Sequence, residues 1–269
     1  MAYTIKGDVH THTLYSRHAY STITENVAAA KAAGLEVLGS SDHFSSMVFA
    51  DPDIRNFQFF SNVHAWPREW DGVTVLRACE ADILSLGGKL FGQDVPVPEN
   101  IVGQPYQTEK SLFERVTDGL DYVVASVHNA DFTRGASLVQ TTDMYLAALE
   151  NPKVFILGHT GRAGVPYDID AVLESAKAHH KLIEVNEHSF DMDARGHHRA
   201  TCSQIAQRCA ELGVGIAVSS DAHLALAIGQ YPHVSAMLDE IHFPEELIMN
   251  RGRDPFLHEL AVSGVCDLL

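Results

Sequence analysis

Seven short apolar runs punctuate the chain, and stretches of helical periodicity separate them. The runs cover residues 4–9, 35–41, 73–80, 121–127, 153–158, 182–186 and 214–219. Several are almost continuously apolar (VFILG, LIEV, VGIAV), the pattern of parallel strands covered on both faces. Parallel neighbours need a long crossover, usually a helix, and helices with readable ends lie in the gaps. Thr22-Ile-Thr-Glu25 has the spacing of a capping box and leads into NVAAAKAAG, which Gly34 stops. Residues 168–180 predict a second helix and 199–212 a third, closed by Gly213. His179 and His180 fall in the last turn of the second, where the helix dipole favours them as terminal residues rather than ligands. This rhythm predicts one α/β domain over residues 1–269, with a parallel sheet either closed into a (β/α) barrel or open and doubly wound.

Two stretches break the rhythm. Residues 44–72 are aromatic-rich (FQFF, HAWPREW), and residues 81–107 contain Gly87-Gly88 and Pro96-Val97-Pro98, which suit a small hairpin. Both are long enough to be functional loops over one end of the domain. The last forty residues read as helices, with Pro244 and Pro255 at first-turn positions.

The chemistry gathers at the strand ends. The first run leads into Asp8-Val9-His10-Thr11-His12 and the second into Ser41-Asp42-His43. The third ends at Glu80, the fourth at His128, the fifth at His159, and the seventh runs through Ser219-Ser220-Asp221-Ala222-His223. Six of the seven runs thus deliver a His, Asp or Glu at the C-terminal edge, where barrels and open sheets both build their sites. Alternate residues of a strand point the same way, so His10 and His12 can face one centre. Asp221 and His223 repeat that spacing. Glu80 ends an apolar strand, an unfavourable place for a carboxylate unless it is paired or metal-bound. His18 lies in the first loop, within reach of the same set. Each residue alone is as well read as a hydrogen-bonded strand terminus. Together, in a chain with 16 His among 269 residues, they predict a multinuclear metal site.

Composition excludes several classes. A formal charge of −16 opposes unaided binding to long nucleic acid or to an anionic membrane surface. Cys79, Cys202, Cys209 and Cys266 form no CxxC pair, which argues against a disulfide framework or Cys-ligated zinc. Neither a signal peptide nor a run approaching the ~20 apolar residues of a membrane span is present, and a soluble cytoplasmic protein is expected.

The succession HTH, a His six residues later, SDH, a lone Glu, two strand-end His and a late SDAH resembles the PHP (polymerase and histidinol phosphatase) family. Residues 18–22 and the Trp66-Pro67-Arg68 and Asp71-Gly72-Val73 segments look closest to its stand-alone YcdX-like phosphatases. The resemblance runs from His10 to His223. It implies a distorted (β/α)7 barrel with a trinuclear centre, usually zinc and sometimes manganese or iron. By resemblance, His10, His12, Glu80 and Asp221 hold one ion. Glu80 bridges to a second held by His128 and His159, and His18, His43 and His223 hold a third. The chain departs from the family at Thr160-Gly161, where Pro often follows the fifth-strand His, and in the aromatic stretch 44–62. The resemblance alone suggests a homo-oligomer, a trimer.

The expected activity is hydrolysis of a small phosphate monoester by a metal-activated water. Asp42 is a candidate catalytic residue, orienting a ligand or relaying a proton, with a loop-capping carboxylate as the plainer reading. Arg17 and Arg162 are candidates to grip phosphate; solvated arginines are the plainer reading. His188, His197 and His198 follow the sixth strand and read as loop residues near the mouth. An exonuclease or nucleotide phosphoesterase would use the same metals but want a basic or aromatic track. Amidohydrolases also open with HxH, but usually carry a bridging Lys where this chain has His128. A non-catalytic metal-binding module would show missing ligands, and none is missing.

Overall fold

The computed structural model describes residues 3–192 and 196–269. In chain order its strands are β1 (Gly7–Thr11), β2 (Val37–Ser40), β3 (His43–Phe44), β4 (Glu69–Trp70), β5 (Val73–Asp82), β6 (Tyr122–Ser126), β7 (Val154–Leu157), β8 (Leu182–Asn186) and β9 (Ile216–Ser219). The helices are α1 (Ile23–Ala32), α2 (Leu112–Thr117), α3 (Leu138–Glu150), α4 (Ile169–Ala178), α5 (His188–Asp191), α6 (His197–Leu212), α7 (Pro232–Glu240) and α8 (Arg253–Val262). Parallel pairing runs β1-β2-β5-β6-β7-β8-β9, seven strands in sequence order with helices between them. The result is a distorted, nearly closed (β/α)7 barrel, which decides between the closed and open sheets.

Closure falls to the seam between β1 and β9. At its C-terminal end, His12 N donates to Ala222 O at 2.9 Å and Asp221 N to His10 O at 3.0 Å. At the other end the fully buried Asn250 is wedged between the two strands. Its Oδ1 accepts from Val218 N at 3.0 Å, and its Nδ2 donates to Val218 O and Gly7 O, each at 2.6 Å. One side chain thus supplies the ladder that the two strands do not make directly. Helix α8 then stoppers the N-terminal end, packing Phe256, Leu257 and Leu260 into one cluster with Val37, Tyr122 and Leu182, the residues that open β2, β6 and β8.

The capping box at Thr22 and Glu25 forms as its spacing predicts, and Gly213 ends α6 in the left-handed region. The first strand lies further on than expected, at Gly7–Thr11 rather than 4–9, because Thr4 N is taken by the Glu245 side chain and Lys6 N by Asn250 O. Residues 69–74 form a hairpin that the sequence reading passed over. Asp71 (φ 54°) and Gly72 (φ 85°) turn β4 back on β5, as a tight Asp-Gly turn allows. In 81–107 the expected hairpin is replaced by isolated antiparallel bridges, Ile83 with Leu90 around Gly87-Gly88 and Glu99 with Pro105. Much of 44–66 is core: Phe44, Phe57 and Phe60 are buried. No described helix is long and apolar enough to cross a membrane.

Candidate metal centre

The barrel brings the nine expected ligands to one end. His10 lies within β1, His12 just beyond it, His43 opens β3 and Glu80 lies near the end of β5. His128, His159, Asp221 and His223 follow β6, β7 and β9, and His18 comes from the loop before α1. Glu80 has no solvent exposure and sits at the middle of the set. Its two oxygens face different neighbours. Oε1 lies 2.7 Å from His159 Nε2 and 3.4 Å from His128 Nε2. Oε2 lies 2.7 Å from His43 Nδ1, 3.3 Å from His10 Nε2 and 3.7 Å from His12 Nε2. Asp221 Oδ1 is 3.0 Å from His12 Nε2 and 3.8 Å from His10 Nε2. His18 Nε2 lies 3.2 Å from His43 Nε2, and the His18 and His223 rings stack at 4.7 Å. Three overlapping groups have donor atoms within 4.8 Å of one another: His10, His12 and Asp221; His12, His43 and His223; and His43, Glu80 and His128.

Electrostatics puts most of these groups in their ligating form. Burial would raise the Glu80 carboxyl, but His128, His10 and His43 hold it well below the usual range. Burial also opposes ionisation of Asp221, and His10 and His12 outweigh it. Burial and the neighbouring His43 lower His12 strongly and His18 less; burial and Arg162 lower His159, and burial lowers His223. Each of these shifts favours the neutral ring, which has a lone pair to give. His10 and His128 go the other way. Burial opposes their charge, but Glu184, Glu80 and Asp221 raise His10 well above its ordinary value, and Glu80 with Asp82 lifts His128 to about 9.

Five buried atoms at the centre have no hydrogen-bond partner among the described residues: His10 Nε2, His12 Nε2, His43 Nδ1, Glu80 Oε2 and Asp221 Oδ1. Buried polar atoms are nearly always satisfied, and here orphans converge from three strands and two loops. Carboxylate oxygens and imidazole nitrogens crowded together in this way fit divalent cations, since one ion accepts several lone pairs at once.

The centre is held from behind by residues the sequence reading did not single out. Glu184, in β8, meets His10 Nδ1 at 2.6 Å and accepts from His159 N at 2.7 Å and from Ser219 Oγ. Asp82 Oδ1 lies 2.6 Å from His128 Nδ1. Both carried a legible signal. Asp82 shares a strand face with Glu80 by the alternation that pairs His10 with His12, and Glu184 interrupts an apolar strand as Glu80 does. The sixth run therefore delivers an acid too, a little before its end. Backbone strain collects here as well: His159 (φ 28°) and Asp221 (φ 55°) are non-glycine residues in the left-handed region, conformations that persist where surrounding contacts over-determine them. At the Thr160-Gly161 departure, Gly161 lies close against α6, where a Cβ would sit 2.5 Å from Cys202 Sγ.

The remaining candidates divide. Asp42 is buried and accepts from Thr13 N, Thr13 Oγ1 and Ser16 Oγ, each at 2.7 Å. Ser16 Oγ in turn lies 3.0 Å from His12 Nδ1. Asp42 thus ties down the first loop and acts on His12 through Ser16; it does not line the cleft. Arg17 is turned away from the centre, with Nη1 donating to Val48 O at 2.9 Å and the guanidinium over the Phe49 ring. Arg162 lines the cleft, 3.2 Å from Asp221 Oδ2. The cleft measures about 590 Å3, and Met47, His188 and His198 are also on its wall. His188 and His198 therefore belong to the mouth, beyond the loop role expected of them. His197 is not on that wall and His179 caps α4.

Comparison with known proteins bears on the family and the fold. Residues 8–191 match the PHP domain family. A probable phosphatase of Clostridium acetobutylicum is 37% identical over 257 residues, 96% of this chain and 95% of that one. Another from Caldanaerobacter subterraneus is 35% identical over 247 residues, 92% and 87% of the two chains. Among solved structures, histidinol phosphate phosphatase from Lactococcus lactis, complexed with zinc, L-histidinol and phosphate, shares the fold. Its TM-score is 0.53 at 16% identity, covering 89% of this chain and 94% of that one.

Proposed function

The chain belongs to the PHP domain family, and on that premise we propose that it is a metal-dependent phosphatase that hydrolyses a small phosphate monoester at a trinuclear centre. The observation that carries this reading is the convergence of orphaned donor atoms around a carboxylate whose two oxygens face two different sets of imidazoles. In this reading His10, His12, Glu80 and Asp221 hold one ion, Glu80, His128 and His159 a second, and His18, His43 and His223 a third. Zinc is favoured by the zinc-bound Lactococcus structure, and manganese or iron would suit the same donors. Ions in such a site lower the pKa of water and neutralise charge on phosphoryl oxygens.

The protein's own groups do the rest. Glu184 and Asp82 fix the rings of His10 and His128, so their ligating nitrogens stay aimed at the centre. Arg162, already beside Asp221, offers a planar fork to a phosphoryl group entering the cleft. In the reaction the water oxygen bonds to phosphorus, the ester P–O bond breaks, and the leaving oxygen takes a proton. His188 and His198 on the cleft wall are the nearest candidates to supply that proton. The products are an alcohol and inorganic phosphate. The formal charge of −16 favours a small ester over a long nucleic acid.

The test is metal content per chain, on protein purified without chelator, with p-nitrophenyl phosphate turnover on the same sample. Chelator-sensitive turnover with more than one transition-metal ion per chain is expected. Glu80→Ala should lose turnover and at least one ion, while His179→Ala keeps both. Wild-type turnover and full metal content in Glu80→Ala would end the bridging assignment. Metal without turnover would end the phosphatase reading.

A further inference from the structure

We propose that the aromatic groove beside the metal cleft binds a planar heteroaromatic ring on the alcohol side of the substrate, so that the preferred esters are of the nucleoside 5′-monophosphate class. This rests on the phosphatase reading and specifies its substrate. The groove measures about 860 Å3, and Tyr15, Phe49, Phe59 and Trp66 contribute its aromatic wall. Tyr15 and Phe59 stack face to face, with centroids 4.7 Å apart and planes 5° from parallel. Tyr15 is 54% exposed.

This is not the ordinary behaviour of the aromatic stretch. Phe44, Phe57 and Phe60 are buried in edge-to-face contacts and account for its contribution to the core. Of the groove's rings, Phe49, Phe59 and Trp66 are partly buried against that core, Phe59 with its centroid 4.4 Å from that of Phe60, whereas Tyr15 stands exposed. Tyr15, held flat on Phe59, presents its exposed face to the groove and loses little freedom when another ring settles on it. Polar groups sit along the same wall. The side-chain amides of Gln58 and Asn62 line the groove and have no hydrogen-bond partner among the described residues. An amide both donates and accepts, as the edge of a heteroaromatic base requires and an aliphatic alcohol does not.

Two short segments form a shared wall between groove and cleft. Tyr15 lines the groove and His18 the cleft, three residues apart; Phe49 lines the groove and Met47 the cleft, two apart. Three residue steps span at most about 11 Å, a distance that a sugar between phosphate and base helps to bridge. Arg17, whose guanidinium covers Phe49 and binds Val48 O, clamps the two segments together.

The test compares kcat/KM of the zinc-loaded enzyme for adenosine 5′-monophosphate and ribose 5-phosphate, which differ only in the ring. Wild type should favour the nucleotide roughly tenfold or more, the usual worth of one base stacked on an aromatic side chain. Phe59→Ala should collapse that ratio towards one, and Phe59→Tyr should restore it. Gln58→Ala, at an exposed position, should lower the ratio too and keeps the test open if Phe59→Ala folds poorly. Adenosine binding is followed in parallel by saturation-transfer NMR on the same proteins. Equal kcat/KM for the two esters in wild type, with no response in the variants, overturns the proposal, as does absence of adenosine binding. If no ester is hydrolysed yet adenosine binds wild type and not Phe59→Ala, the phosphatase reading fails and the groove assignment stands.

Discussion

Glu80 shows how much one residue can decide. A carboxylate with no solvent exposure, in a strand and, among the described residues, without a lysine or arginine partner, is tolerable because imidazoles surround it on both edges. Its position was readable from the sequence, since an acid closing an apolar strand demands a reason. The same argument reaches Glu184, whose carboxylate ties His10, His159 and Ser219 together. Glu184→Gln keeps the volume but loses the charge that orients His10. It should weaken metal binding by about 10- to 100-fold with little change in the urea midpoint of the metal-free protein. Competition with a chromogenic chelator measures the first, and an unchanged affinity would reduce Glu184 to a structural residue. Arg17 marks the limit of reading residues from the sequence. Its place beside His18 suggested a hand on phosphate, but its left-handed backbone (φ 65°) accompanies a guanidinium directed to Val48 O and Phe49. A local neighbour in sequence does not report which way a side chain leaves a turn.

At the scale of elements, the seam between β1 and β9 is where the barrel is most exposed to a single change. Asn250 supplies three hydrogen bonds there from a fully buried amide. Asn250→Ala leaves Val218 N, Val218 O and Gly7 O without that partner and should cost about 3 kcal/mol of stability. A urea titration should show a lower midpoint, and a loss below about 0.5 kcal/mol would mean that the strands zip without it. The strands and their order were legible because buried parallel strands must be apolar on both faces. The seam was not, because nothing in the local pattern around residue 250 announces a contact with residues 7 and 218. The β4–β5 hairpin lies between these cases. Asp71-Gly72 is a readable turn, yet its flanking strand of two residues is too short to show a period.

For the whole molecule, the centre and the fold should be thermodynamically linked. The expected ligands come from β1, the loop after it, β3, β5 and the loops after β6, β7 and β9, so unfolding scatters them and an ion that binds only the folded chain stabilises it. Zinc at about 100 times its dissociation constant should raise Tm by about 5–10 °C, read by calorimetry on chelated and reloaded protein; an unchanged Tm would argue against a site built by the fold. A second expectation concerns pH. Burial lowers Lys181 from 10.5 to about 8, while its Nζ donates to Val154 O at 2.6 Å. Below pH 8 folded and unfolded chains both hold the proton, and the folded state bears the full cost of the buried charge. Between pH 8 and 10.5 the unfolded chain binds more protons than the folded one, so this group's contribution makes stability rise with pH. The difference in stability between wild type and Lys181→Met should therefore shift in favour of wild type across that window. A difference that stays flat would show that Lys181 keeps its ordinary pKa when folded.

The class of fold, the order of its strands and the residue types gathered at their ends were legible along the chain. Those follow from periodicity and from the cost of burying charge, which act within a few residues along the chain. Long-range packing closed the sheet, set Asn250 across its seam, and stood Glu184 and Asp82 behind the histidines. It also decided that the aromatic insertion opens a groove along the wall of the cleft. These depend on which distant residues meet across the barrel, and that is set by packing in three dimensions rather than by spacing in one.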